Sequence, residues 1–558
     1  MAKHQAVLMM ITFNLLVALT VSIAIGFNLA TAHVSYGHRQ ALTASMLSKN
    51  MKRAFGRRRG EDDTFDIAFQ PVKDDEGELE EEEGEDEYVE EDNDLGTNST
   101  LEYVANGCFN EEPLMSTCSG IDGKNDRGIL EMKGSISKRL LRVQGGSSGN
   151  DRKKKILILM SDTGGGHRAS AQAIDQALSE IFPGKIDVDI VDIWTDHARW
   201  PFNRFVPSYR FMAKHPIFWR VFYAYGRFPP TKLLTEIMSR STCYDQFRRA
   251  IERSDPDLVL SVHPLCQHIP IPIIRRMNRV RCKDRMPIPF VTVVTDLGGA
   301  HPTWFNKACD LCFVPSEAVR KEAVKFGVPT NKIVMHGLPV RPSFWKPTSK
   351  TKSSVRSDLG LEPDVDTVLV MGGGDGVGGL SNIALEIGNT LGTLKESAQM
   401  VVVCGHNTGL VSQLRAKNWP SNVNAVIKGF LNNIDEYMSA SDCLVTKAGP
   451  GTIAEAMIRG VPVILSSFLP GQEEGNVPYV VDGNFGVYTG NKPKRIAFTV
   501  KNWFTDKLLL QDMSSRAKEA GVRHSEATRL ISKDIGEVVL RNDRNLPIHY
   551  FVSSSAKS

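Results

Sequence analysis

Residues 445–481, VTKAGPGTIAEAMIRGVPVILSSFLPGQEEGNVPYVV, constrain the fold more than any other stretch. Val445 closes an apolar run, Gly449-Pro450-Gly451-Thr452 turns at once into good helix formers, and Pro462-Val463-Ile464-Leu465 resumes an apolar strand. Strand, tight turn, helix, strand is the unit of a parallel, doubly wound sheet. Such a turn aims free backbone N–H groups and a helix dipole at one point, which suits a phosphate. Glu455, expected on the first turn of the helix, is placed to accept hydrogen bonds from a ribose diol. Gln472-Glu473, beyond the next strand, are placed to grip a second polyol.

The same alternation occurs twice. Apolar runs at 156–160, 186–191, 258–262, 290–294 and 311–314 are separated by helical or loop sequence. This first domain, 151–342, ends near Gly337-Leu338-Pro339-Val340-Arg341-Pro342. A second series at 367–371, 399–403, 425–427, 443–445 and 462–465 forms a second domain, 343–540, before a tail at 541–558. The predicted fold class is α/β: two Rossmann-like doubly wound domains facing across a cleft. Ligands of open parallel sheets bind beyond the carboxyl ends of the strands, so donor and acceptor would occupy opposite walls. A helix from about Leu508 to Leu540 is expected to pack back across both.

The first 150 of the 558 residues fit neither domain. Residues 5–32 are nearly uncharged and roughly the length of a membrane span, and end in the small residues Ala30-Thr31-Ala32. A basic, acid-free, hydroxyl-containing stretch follows, so 1–60 reads as a signal-plus-transit leader, with an uncleaved membrane anchor as the alternative. Residues 61–150 open on a dense acidic run, expected to be a disordered linker. Residues 1–150 hold 15 Lys+Arg and 25 Asp+Glu; taken from totals of 67 and 64, these leave the remainder at about +13. That balance suits an anionic membrane surface. Nucleic acid is not expected, for no zinc-ligand pattern, aromatic RNA-binding motif or basic repeat is present. Trp219 to Arg249 mixes aromatic, Met and Leu residues with Arg and Lys, as a membrane-facing helix and loop would, though a plain amphipathic surface explains it as well. Of nine cysteines, Cys309 and Cys312 form the single C-x-x-C pair, expected in ordinary core; Cys108 and Cys118 fall in the front.

The first glycine turn is Ser161-Asp162-Thr163-Gly164-Gly165-Gly166-His167-Arg168-Ala169. It satisfies G-x-G-x-x-A, and Asp192 ends the next strand, so a dinucleotide fingerprint is a competing, weaker reading. His167 sits where loop meets helix, a position that disfavours its protonated form and suits a general base; the plainer reading is a histidine that caps or packs the turn. The second turn begins Gly372-Gly373-Gly374 and lacks an acid after its next strand, so a phosphate contact is expected there. No Walker motif is present.

These blocks together resemble the plastid monogalactosyldiacylglycerol synthases, relatives of the bacterial transferase that adds N-acetylglucosamine to the lipid-linked peptidoglycan precursor. The resemblance rests on SDTGGGHRAS (161–170), WTDH with WPFN (194–203), SVHPL (261–265), HPTWF (301–305), GLPVRPSF (337–344), MGGGDG (371–376) and KAGPGTIAEAMIRG with GQEEGNVPYVV (447–481). It implies an inverting transferase moving galactose from UDP-galactose to diacylglycerol. His167 would be the base, with Gly166, Pro201 and Trp304 on the acceptor and lipid side. Gly373, Gly374, Gly449, Gly451 and Thr452 would cradle the diphosphate, Glu455 would hold the ribose, Gln472 and Glu473 the galactose, and backbone near Gly429 and Phe430 the uracil. It further implies no obligatory metal or cofactor, activation by anionic lipid, and a plastid envelope membrane; the membrane-length leader and long acidic spacer depart from a simple transit sequence and offer a complex plastid as the alternative. Oligomeric state is not legible. The alternatives are a glucosyl- or N-acetylglucosaminyl-lipid transferase, or a non-catalytic nucleotide-sugar or lipid sensor.

Overall fold

The computed structural model describes residues 152–213, 216–281, 285–346, 349–372 and 379–541. The leader, the acidic linker, Gly373-Gly374 and the tail beyond 541 lie outside these residues. Each half is a six-stranded, wholly parallel sheet. The first half holds β1 (Lys154–Met160), β2 (Ile186–Asp192), β3 (Leu258–Ser261), β4 (Phe290–Val293), β5 (Leu311–Val314) and β6 (Ile333–Met335), in spatial order β2-β1-β3-β4-β5-β6. The second holds β7 (Asp366–Met371), β8 (Ala398–Val403), β9 (Val423–Lys428), β10 (Cys443–Lys447), β11 (Val463–Ser467) and β12 (Gly486–Tyr488), in order β12-β11-β10-β7-β8-β9. Most central strands are buried along their whole length, which is why they read as unbroken apolar runs. The three-residue strands β6 and β12 were not foreseen.

In both sheets the strand order reverses beside the first strand, between β1 and β3 and between β7 and β10. Side chains cannot close the crevice left above such a reversal, so ligands collect there. The first glycine turn follows β1. The end of β7 and the Gly449 turn flank the second reversal, where Val370, Gly372, Leu380, Val445, Lys447 and Ser466 line a small cavity.

The helices used below are α1 (Gly166–Ile181), α2 (Phe205–Ala213), α3 (Pro216–Arg227), α4 (Pro229–Ser254), α5 (Pro450–Arg459), α6 (Asn476–Asp482) and α7 (Lys507–Leu540). As expected, α7 joins the halves. Leu510 and Met513 enter the core of the second sheet, while Ala527, Ile531, Ile535 and Val538 enter that of the first. Gly521 presses on α5 where a Cβ would overlap the Met457 carbonyl. Between these ends α7 straps the connector: Leu338 N donates to His524 Nδ1 at 2.9 Å, Val340 N to Thr528 Oγ1 at 2.9 Å, and His336 meets Asp534 at 2.7 Å. Cys309 and Cys312 are buried core, as read from the sequence.

Candidate active site

The positive φ of Gly164 (85°) lets the chain leave β1 and start α1 at Gly166. His167 is the second residue of α1 and is buried, with its ring turned back into the sheet. Its Nδ1 lies 2.9 Å from the carbonyl oxygen of Val262, just past β3, and 2.9 Å from Thr295 Oγ1, just past β4. A carbonyl can only accept, so Nδ1 carries the proton and Nε2 keeps the lone pair. Burial lowers the pKa of His167 to about 4, against the opposing pull of the Val262 carbonyl and Asp162. The imidazole is therefore neutral near pH 7. Its ring bonds reach Val262 and Thr295 rather than the turn's own backbone, and its packing on His263 and Trp304 is compatible with a structural role as well as with a base.

His263 packs edge-on against His167 at 4.5 Å between centroids. Its Nδ1 accepts from Leu265 N, so its Nε2–H donates to Thr163 Oγ1 at 2.8 Å, and burial holds it well below the ordinary histidine range. Trp304 is fully buried 6.1 Å from His167, and its indole N–H donates to Asp296 Oδ2 at 2.6 Å. Burial lifts Asp296 to about 7, with Glu322 and Glu473 adding to the rise and the Trp304 bond opposing it. Consecutive residues at the end of β4, Thr295 and Asp296, thus fix His167 and Trp304. Gly166 has open space where a Cβ would project. Pro201 opens a short turn (Phe202–Arg204) anchored through Phe202 on Trp194 rather than on His167. Asp192 is consumed locally, accepting from Asp162 N, Thr195 N and Thr195 Oγ1. With these bonds Asp192 serves the local turn, which weighs against a ribose-binding role for it.

Across the cleft, Pro450 is the first residue of α5 and Gly449 precedes it in extended conformation. A Cβ on Gly451 would meet nothing within 4 Å, so the helix start is open to a ligand. One expectation is corrected: Glu455 stands on the second turn of α5, because the helix begins directly at Pro450 with φ already fixed by the ring. Glu455 is buried and takes Arg341 Nε at 2.8 Å. Burial raises its pKa and Arg341 restrains the rise. Glu473 is also buried; Oε1 accepts from Lys447 and Oε2 from Leu469 N at 2.9 Å, which leaves one lone pair on each oxygen. Gln472 accepts from the Tyr209 hydroxyl at 3.3 Å. Phe430 is 56% exposed and stacks on His406 at 4.4 Å, beside Gly429 at the end of β9.

The two walls touch. Gly298 N donates to Asn476 Oδ1 at 2.7 Å, Asn476 Nδ2 donates to the Ala448 carbonyl at 2.8 Å, and a Cβ on Gly298 would overlap the Gly475 carbonyl. Sequence reasoning gave no role to Tyr209, Arg341, Lys447 or Asn476, although the last three fall inside the quoted blocks, and it placed Thr295 and Asp296 only loosely, as residues following a strand near the cleft. On the stretch expected to face a membrane, Val221, Phe228, Leu233 and Ile237 are exposed. No helix among the described residues is long and apolar enough to cross a membrane.

Residues 167–340 match the family model for monogalactosyldiacylglycerol (MGDG) synthase, and residues 367–528 match that for the glycosyltransferase family 28 C-terminal domain. The chain is 40% identical over 434 residues to the chloroplastic monogalactosyldiacylglycerol synthase of Spinacia oleracea, covering 76% of this chain and 80% of that one. It is 42% identical over 402 residues to the chloroplastic monogalactosyldiacylglycerol synthase 1 of Arabidopsis thaliana, covering 71% and 73%. Acinetobacter baumannii MurG is a distant structural likeness, with TM-score 0.45 and 13% identity over 68% of this chain and 98% of that one.

Proposed function

This chain belongs to the monogalactosyldiacylglycerol synthase family, and from that premise we propose how its residues transfer galactose from UDP-galactose to diacylglycerol. The carrying observation is the tautomer of His167, whose Nδ1 is bound to Val262 so that Nε2 is free to take a proton. Nε2 removes the proton of the lipid hydroxyl as its oxygen forms a bond to the anomeric carbon. The bond from that carbon to UDP breaks, its electron pair leaves on the diphosphate, and displacement from the opposite face inverts the centre. Backbone N–H groups of Gly449, Gly451 and Thr452 meet the leaving charge with help from the α5 dipole, so no resident metal or cofactor is required; Gly373 and Gly374 share that role on the resemblance alone. Glu455 holds the ribose, Gln472 and Glu473 the galactose, and backbone at Gly429 and Phe430 the uracil. Gly166, Pro201 and Trp304 shape the acceptor side.

The exposed apolar side chains of α3 and α4, set in a basic catalytic part, support docking on an anionic membrane that also activates the enzyme. The chloroplastic naming of the relatives supports a plastid location, with the envelope membrane as the proposed surface. The full chain should form galactolipid from UDP-galactose and diacylglycerol in anionic liposomes, and do so in the presence of EDTA. No sugar transfer from UDP-galactose or UDP-glucose overturns the enzyme reading; loss of transfer with EDTA overturns the metal-free mechanism.

A further inference from the structure

The loop between β11 and α6 belongs to the donor half, yet the acceptor half holds it. Trp219 Nε1 of α3 donates to the Pro470 carbonyl at 2.7 Å. Gly471, with φ 78°, backs onto Tyr223 so closely that a Cβ would overlap the ring. Tyr209 of α2 packs edge-on against Trp219 at 5.1 Å and donates its hydroxyl proton to Gln472 Oε1. Farther along, Lys447 and Leu469 N secure Glu473, and Gly298 N with the Ala448 carbonyl secures Asn476. The loop backbone is thus pinned on both sides of Gln472, while the Gln472 amide itself takes its orientation from Tyr209.

We propose that Tyr209 is a positioning residue for sugar selection: it fixes which end of the Gln472 amide faces the donor sugar, so the acceptor half sets the donor preference. A primary amide can present either its oxygen or its N–H groups to a polyol, and the two ends read a hydroxyl in opposite senses. With the oxygen taken by Tyr209, both N–H bonds of Nε2 are left for hydroxyl oxygens of the sugar. Burial together with the nearby carboxylates of Glu473 and Asp296 raises the phenol's pKa, so it keeps its proton and stays a donor. Epimeric hexoses differ by the direction of one hydroxyl, and a site built around a fixed donor rejects the wrong epimer more strongly than one whose amide can turn over.

This inference rests on the galactosyltransferase reading, and the test separates the two. Tyr209→Phe in the full chain should leave UDP affinity within twofold, raise KM for UDP-galactose about fivefold to tenfold with a smaller fall in kcat, and bring the preference over UDP-glucose toward unity. Gln472→Glu still accepts from Tyr209 but has no N–H to give, so it should lose the preference with the fold intact. Tyr209→Phe added to Gln472→Ala should change nothing further. Unchanged donor preference in Tyr209→Phe, fully additive effects in the double variant, or equal use of both donors by the unaltered protein overturns the inference. Absence of galactose transfer by the unaltered protein overturns the underlying reading instead.

Discussion

Arg341, in the segment that joins the two halves, donates through Nε to Glu455 at 2.8 Å, so the acid proposed to hold the donor's ribose is tied to the interdomain connector. The carboxylate is buried and the guanidinium only partly exposed. A cation so placed keeps a buried carboxyl ionised without competing for its second oxygen.

Arg341→Met should therefore weaken UDP binding about tenfold, or about 1.4 kcal/mol, because a protonated Glu455 is a poorer acceptor for a diol. The loss should shrink as pH rises, since burial alone pushes this carboxyl upward. Calorimetric titration of UDP at pH 6.5 and 8.5 measures both effects. Equal affinity to the unaltered protein at both values removes Arg341 from the donor site.

His167→Ala should lower turnover by about 10²- to 10⁴-fold while UDP affinity stays within a few-fold, since the missing group acts on the lipid hydroxyl. With its pKa near 4, His167 is already neutral at pH 6, so kcat/KM should be flat from pH 6 to 8 with respect to this residue and fall only toward pH 4. An inflection near 6.5 that disappears in the variant would contradict the buried, pre-deprotonated base.

Acid should unfold the protein through its histidines. His167, His268, His301 and His524 are each lowered by burial from 6.5 to about 4. Between those values the unfolded chain binds more protons than the folded one, so stability is present above pH 6.5 and is lost as pH falls toward 4. His263, held well below the ordinary range, adds to them, while Asp296, raised to about 7, and the other carboxyls raised by burial, Glu455 and Asp310 among them, act in the opposite direction. The urea midpoint should drop steadily from pH 7 to pH 5; a midpoint that rises over that interval would show the carboxyls to dominate.

Two glycines should behave oppositely. Gly451→Ala places its methyl in open space within the first turn of α5, so thermal stability should hold or rise by about 0.5–1 kcal/mol while UDP affinity falls at least tenfold. Gly298→Ala puts a methyl onto the Gly475 carbonyl and should cost about 1–3 kcal/mol in the absence of any ligand. Thermal melts with and without UDP separate the cases. Tight UDP binding by Gly451→Ala would show that the phosphates sit elsewhere.

The doubly wound halves, the crossing helix, the first glycine turn, the Gly449 turn and the position of His167 were legible in the chain. Buried parallel strands write themselves as continuous apolar runs, and the tight turns that open α1 and α5 are marked by glycine and proline. The three-residue strands β6 and β12 left no such mark, for they are too short to show a pattern. Residue types alone suggested that His167 could be a base; the tertiary structure supplied the reason, through Val262, 95 residues away, and Thr295, 128 away. Likewise Arg341 reaches Glu455 over 114 residues and Tyr209 reaches Gln472 over 263. Local sequence determines strands, turns and helix starts because their forces act within a few residues. Which carbonyl sets a tautomer, and which helix steadies an amide, depends on strand order and on the closure of one half upon the other, and these exist only once the chain has folded.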